Sequence, residues 1–121
     1  MSAPGMGGYS IGALNKGTAV YNRLLDDVRA GKQLANASGK TYICRGVVWI
    51  QGESDCSNTY DYYYNAMKQM FNDLDTDIKS ITGQTQTVHF FLYQTWCYDW
   101  YYTGFHYPHI PLAQYQICQD M

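Results

Sequence analysis

Residues 42–55 read YICRGVVWIQGESD, an apolar run that changes abruptly into polar residues. The run 42–50 has the length of a strand and few polar interruptions, which is typical of a strand buried on both faces of a parallel sheet. In open α/β sheets, ligands bind outside the carboxyl ends of the strands. The sequence therefore predicts that residues 51–55 lie at the ligand-binding edge of such a sheet.

Upstream of this strand, apolar residues recur at three- and four-residue steps and predict an amphipathic helix. Thr18 is its expected N-cap and Gly39 its expected stop. Gly31 lies inside the pattern and could mark an earlier break, because glycine costs about 1 kcal/mol relative to alanine within a helix. One face of this helix should therefore pack on the sheet.

Downstream, a second helix is predicted over residues 59–81, ended by Gly83, and a second strand over residues 87–95. A last helix should begin at His109 or Pro111, since proline is tolerated in the first turn. Alternating helices and strands predict an α/β domain with a parallel sheet. Two strands alone form a marginal sheet, so further strands are expected on either side.

The composition is that of one globular domain. The 121 residues are 46% hydrophobic and 15% charged, with a formal net charge of −2. This balance provides no basic surface for nucleic acid and suits a neutral ligand such as a sugar. No apolar stretch approaches the roughly 20 residues that cross a bilayer, and residues 1–10 resemble a loop rather than a signal peptide.

The four cysteines show no zinc-binding pattern, and we expect neither a metal nor a cofactor. Cys44 in the first strand and Cys118 on the last helix are expected to be buried free thiols. Cys56 and Cys97 each follow a predicted strand, so a disulfide between them is open.

Within the polar segment, Gln51 could donate a side-chain hydrogen bond to a developing oxyanion, a contact worth about 2.7–4 kcal/mol in a transition state. Glu53 could orient a catalytic base. The alternative is that residues 51–55 only cap the helix that follows.

Two stretches resemble a known family. Residues 49–55, WIQGESD, resemble the WxQGES signature of sialate O-acetylesterases in the SGNH hydrolase superfamily. Upstream, residues 7–11 (GGYSI), 16–18 (KGT) and 21–23 (YNR) resemble the GGTSI, KG and LYxRM blocks of the same group. The resemblance covers about residues 3–95 and implies a flavodoxin-like three-layer α/β fold that removes acetyl groups from a carbohydrate such as sialic acid or xylan.

The resemblance also implies roles for individual residues. Gly8 and Gln51 would form the oxyanion hole, and Glu53 would support the catalytic histidine. Residues 113–114 resemble the last segment before the family's Asp-x-x-His block. The nucleophilic serine and that histidine are not found, so residues 1–121 are expected to be one partial domain, missing its first and last catalytic blocks and inactive alone.

Other residues either resemble catalytic residues without being expected to act as such, or are expected to contact the substrate. Ser10 lies in GYSIG (residues 8–12), which matches a hydrolase nucleophile elbow, but no strand is predicted before it. His89 is expected in a strand, remote from chemistry. After the second strand, the residues expected to contact an acetylated sugar are Trp96, Tyr98 and His106, because aromatic rings stack on sugar faces. Packing of this loop on the sheet is an equal alternative.

A rival interpretation is a non-catalytic carbohydrate-binding or virion-associated module that keeps the esterase scaffold. It predicts glycan binding without turnover. A third is a truncated reading frame without function, which should aggregate through unpaired strand edges.

Overall fold

The structure, a computed structural model, describes residues 2–96 and 108–121. In these ranges the chain forms five main elements: α1 (Ala19–Ala37), β1 (Gly46–Trp49), α2 (Tyr60–Thr82), β2 (His89–Leu92) and α3 (His109–Asp120). Short 3-10 helices lie at Ile11–Ala13 and Glu53–Asp55. β1 and β2 are parallel neighbours, with Gly46 opposite His89 and Trp49 opposite Leu92. The predicted α/β class with a parallel sheet is confirmed.

The helix boundaries follow from local capping chemistry. The Thr18 and Thr59 side chains accept hydrogen bonds of 3.3 Å from the backbones of Tyr21 and Tyr62 and so cap α1 and α2. Gly83 ends α2 with a φ of 77°, a left-handed conformation that favours glycine. The predicted starts and stops of both helices are confirmed. Because Thr59 caps α2, the alternative that residues 51–55 serve only as its cap is wrong.

α1 continues through Gly31 without a break. A Cβ atom at this position would lie 2.8 Å from ring atoms of Tyr42. The glycine is therefore explained by the close approach of an aromatic ring rather than by a helix end.

The core lies between the helices and one face of the sheet. α2 contributes its buried face, which comprises Tyr63, Met67, Met70, Phe71, Leu74 and Ile78. The Phe71 ring stacks on Phe90 of β2 at 4.1 Å and meets Trp49 of β1 edge-on at 6.1 Å. Both strands are thereby fixed to the central helix.

The expectation that the run 42–50 is buried on both faces is wrong. Side chains alternate: Val47 and Trp49 are half-buried against the helices, whereas Val48 is 65% and Ile50 71% exposed. β2 alternates in the same way, with Phe91 61% exposed. The physical reason is that the described helices all contribute to one core on one side of the sheet.

The cysteines agree in part with expectation. Cys44 is a half-buried free thiol just before β1, and burial raises its pKa. Cys118 is free but exposed, so its expected burial is wrong: α3 turns the neighbouring Ile117 into the core instead. Cys56 is disulfide-bonded. Because Cys97 lies outside the described residues, the pairing of Cys56 with Cys97 stays a prediction.

None of the described helices is long and apolar enough to cross a membrane.

Candidate active site

A buried polar network lies where β1 and β2 end. Its members are Gln51, Asp55, Thr95 and Gln114, all 7% exposed or less, together with the hydroxyl of Tyr63. Burying polar groups costs free energy unless they are hydrogen-bonded. The hydrogen-bond partners of these side chains therefore define the geometry of this edge of the sheet.

The side-chain amide of Gln51 is held on three sides. Its Oε1 accepts a hydrogen bond of 2.9 Å from the Tyr63 hydroxyl. Its Nε2 donates to the Tyr9 carbonyl at 3.1 Å and to the Asp55 carboxylate. A carbonyl and a carboxylate can only accept, so the orientation of the amide is determined. Both N–H groups of Gln51 are thus engaged.

The Asp55 carboxylate accepts hydrogen bonds from three different segments of the chain. It is 0% exposed, and besides Gln51 its Oδ2 accepts a 2.7 Å hydrogen bond from the backbone N–H of Ile11. Its Oδ1 accepts another of 2.7 Å from the Asn58 side chain. One carboxylate thereby joins the 3-10 helix after β1 to the start of the chain.

The predicted partner of Gln51, Gly8, lies on the segment that Asp55 and Gln51 bind. Gly8 is exposed, has a φ of 78°, and directly precedes Tyr9, whose carbonyl contacts Gln51. A left-handed φ favours glycine. The structure thus brings the GGYSI and QGESD segments together at the carboxyl edge of the sheet.

Gln114 of α3 joins the two strand ends. Its Oε1 accepts from the Thr95 N–H at 2.8 Å, and its Nε2 donates to the Gln51 carbonyl at 2.6 Å and to the Tyr63 hydroxyl at 3.2 Å. Burial raises the pKa of Tyr63 to about 12. The hydroxyl therefore remains a proton donor to Gln51 at neutral pH.

Gly52 allows this close packing. Its φ is 149°, and an added Cβ would lie 2.6 Å from Thr95 Cγ2 and 2.8 Å from Gln114 Nε2. Any side chain at position 52 would push the strand ends away from α3.

The other predicted site residues are more dispersed. Glu53 lies in the second 3-10 helix and is exposed, whereas Asp55 in the same turn points inward. Trp96 follows β2 and is 81% exposed. Tyr98 and His106 lie outside the described residues. Their roles, like those of Gly8 and Gln51, stay predictions.

Ser10 lacks the strand-to-helix turn of a nucleophile elbow, and His89 lies away from this edge. No strand forms within residues 2–10, and Ser10 leads into a three-residue 3-10 helix. His89 is the first residue of β2, at the amino end of the sheet. Because β1 and β2 are parallel, this end lies opposite the edge that holds Gln51.

Metal binding has no evident centre in the part of the chain that is described. Over residues 2–96 and 108–121, His, Cys, Asp and Glu side chains form no group of three that could hold a metal ion.

Sequence reasoning missed the structural importance of Asp55, Tyr63 and Gln114. Tyr63 and Gln114 each occupy the buried face of a helix, and a polar group at such a position requires a partner. Gln114 lies between Ile110 and Ile117 on the buried face of α3, and this position in the helical pattern indicates a buried amide.

This α/β chain, with a polar site at the carboxyl edge of its sheet, can be assigned to a family. Residues 3–89 match the model of a family described as "Carbohydrate esterase, sialic acid-specific acetylesterase". The chain belongs to this carbohydrate esterase family. Comparisons with curated proteins and with solved structures gave no significant match.

Proposed function

We propose that this chain forms the oxyanion side of a serine-type esterase that removes O-acetyl groups from a carbohydrate such as sialic acid. The observation that carries the proposal is the hydrogen-bonded junction between the segment containing Gly8 and the Gln51 amide. Two further facts support it: the junction lies at the carboxyl edge of a parallel sheet, and the chain belongs to a carbohydrate esterase family.

Gln51 can act as the oxyanion donor by exchanging one partner. Its bond to the Tyr9 carbonyl is 3.1 Å long and involves a neutral acceptor. A hydrogen bond to an ionised acceptor is roughly twice as strong as a neutral one. An acetyl oxyanion would therefore displace the Tyr9 carbonyl, while the second N–H stays on Asp55.

The proposed reaction is acyl transfer in two steps. A serine hydroxyl adds to the acetyl carbonyl and passes its proton to a histidine, and the negative oxygen is held by Gln51 and the Gly8 backbone. The C–O bond to the sugar then breaks, and the sugar oxygen takes the proton from histidine. Water hydrolyses the acetyl-serine by the same path. We assign the serine and the histidine to residues outside this chain.

The test is acetate release from an O-acetylated sialic acid and from 4-nitrophenyl acetate. We expect turnover in a longer protein that carries this chain with Gly-x-Ser and Asp-x-x-His blocks. There, Gln51→Ala should lower kcat about 10²- to 10³-fold. Gln94→Ala is the matched control, because Gln94 is exposed and bonds only the Pro111 carbonyl among its described contacts.

Two results would contradict the proposal. An unchanged kcat in Gln51→Ala would remove Gln51 from the oxyanion hole. Turnover by the 121-residue chain alone, abolished by Ser10→Ala, would place the nucleophile in this chain.

A second candidate is a non-catalytic carbohydrate-binding module. It is favoured by the 81% exposure of Trp96 beside the same sheet edge, since aromatic faces stack on sugars. This role predicts saturable glycan binding that Trp96→Ala weakens, with no acetate released by any form of the protein.

A further inference from the structure

We infer that Asp55 is the positioning residue of this site, which holds the Gln51 amide and the Ile11 backbone in one fixed arrangement. The inference deepens the proposed function and rests on it. It gives Asp55 the role of holding the oxyanion donor, Gln51, rather than of contacting the substrate.

The first argument is the chemistry of the partners. Ile11 N–H, Gln51 Nε2 and Asn58 Nδ2 are all donors, and all three point at one fully buried carboxylate. Only an acceptor-only side chain satisfies them together. An alanine at position 55 would leave all three donors without this acceptor.

The second argument is that the Gly8 segment has few other contacts, namely the bond from Gln51 to the Tyr9 carbonyl and a 3.5 Å bond from Arg23 to the Pro4 carbonyl. Residues 2–10 form no helix or strand, and Gly8 and Tyr9 are exposed. The chain becomes anchored at Ile11, whose side chain is 0% exposed and whose N–H binds Asp55. Releasing that N–H would free the segment that carries the predicted oxyanion glycine.

The third argument is the direction of the Gln51 amide. With its oxygen on Tyr63 and one N–H on Asp55, the amide cannot rotate without losing both bonds. The remaining N–H is then aimed at the position of the Tyr9 carbonyl. Asp55 therefore preorganises the one N–H that would donate a hydrogen bond to the oxyanion. Such preorganisation is the source of the stabilisation that oxyanion donors provide.

Asp55→Ala tests the inference by NMR, because it removes both carboxylate oxygens, whereas an asparagine could keep its amide oxygen on Ile11 and Gln51. We expect hydrogen exchange of the Ile11 amide to accelerate about tenfold or more, because the amide loses a hydrogen bond to a charged group. The Gln51 side-chain NH₂ resonances should move towards those of a solvent-exposed glutamine. Buried amides of α2 should keep their protection.

Asn58→Ala is the matched control, because it removes the donor to Oδ1 and leaves both contacts of Oδ2. Neither signal should change in it. Unchanged Ile11 and Gln51 signals in Asp55→Ala, or equal changes in Asn58→Ala, would overturn the inference.

A measurement on the unaltered protein covers the case in which Asp55→Ala does not fold. Scalar coupling across the hydrogen bond between the Ile11 nitrogen and the Asp55 carboxyl carbon should be detectable, and its absence would overturn the inference. Neither readout needs turnover. An absence of esterase activity would therefore contradict the proposed function alone.

Discussion

Gln114 in the last helix donates a 2.6 Å hydrogen bond to the backbone carbonyl of Gln51, 63 residues earlier in the chain. The same side chain accepts from the Thr95 N–H after β2. A single amide therefore fixes the ends of both strands relative to α3. The shape of the candidate site depends on this long-range contact as well as on the QGESD segment itself.

Gln114→Leu should destabilise the protein by about 1–3 kcal/mol, because it leaves the Thr95 N–H buried without its partner and takes from the Gln51 carbonyl the nearer of its two donors, the other being the Tyr63 hydroxyl. Urea unfolding at pH 7 measures the change. Gln116→Leu on the same helix is the control, since Gln116 bonds only the exposed Asp120 among its described contacts. Equal losses in the two variants would contradict the bridging role.

Gly52→Ala should destabilise the protein by about 2 kcal/mol or more. The added methyl group would meet Thr95 and Gln114, and a φ of 149° strains any residue with a Cβ. The free energy of unfolding should fall, while Gly5→Ala should change it little, because nothing lies within 4 Å of a Cβ at Gly5. A stable Gly52→Ala protein would show that the strand end can move.

Local patterns predicted the elements well, and long-range packing explains what they missed. Threonine caps and Gly83 act within one helical turn, so the bounds of α1 and α2 could be read from the sequence. The exposed face of β1 could not, because an apolar run looks the same whether one face or two are covered. The family motif indicated Gln51, but the inward turn of Asp55 depends on Ile11, 44 residues away.

Adjacent phenylalanines in β2 should respond very differently to truncation. Phe90 stacks on Phe71 at 4.1 Å, whereas Phe91 is 61% exposed. Phe90→Ala should cost about 3 kcal/mol, and Phe91→Ala about 1 kcal/mol or less. Thermal or urea unfolding of the pair measures this. Similar costs would mean that the face bearing Phe91 is covered in solution.

Cys56 is expected to pair with Cys97. Cys56 is disulfide-bonded and follows Asp55 directly, while Cys44 and Cys118 are free. Proteolysis without reductant, followed by mass spectrometry, should yield one linked peptide pair containing Cys56 and Cys97. A linked peptide containing Cys44 or Cys118 would contradict this pairing.

Acid should remove a stabilising contact between α1 and α2. Asp77 accepts hydrogen bonds of 2.7 Å from the Tyr21 hydroxyl and 2.8 Å from Lys16. Burial alone would raise the pKa of Asp77, but these two partners hold it below its usual range. The unfolded value is about 3.9, so the stabilisation is present above about pH 4 and is lost as pH falls through the lower folded pKa.

Asp77→Asn should therefore be less stable than the native protein at pH 7, by about 1 kcal/mol for the lost hydrogen bonding, and this difference should shrink as pH falls below 4. Urea unfolding across that range measures it. Asp26→Asn is the control, since the Asp26 side chain is 70% exposed and pairs only with Arg29 on the same helix among its described contacts. Such surface pairs contribute about 0–1 kcal/mol. A difference for Asp77→Asn that stays constant with pH would show that its carboxylate charge does not stabilise the helix pair.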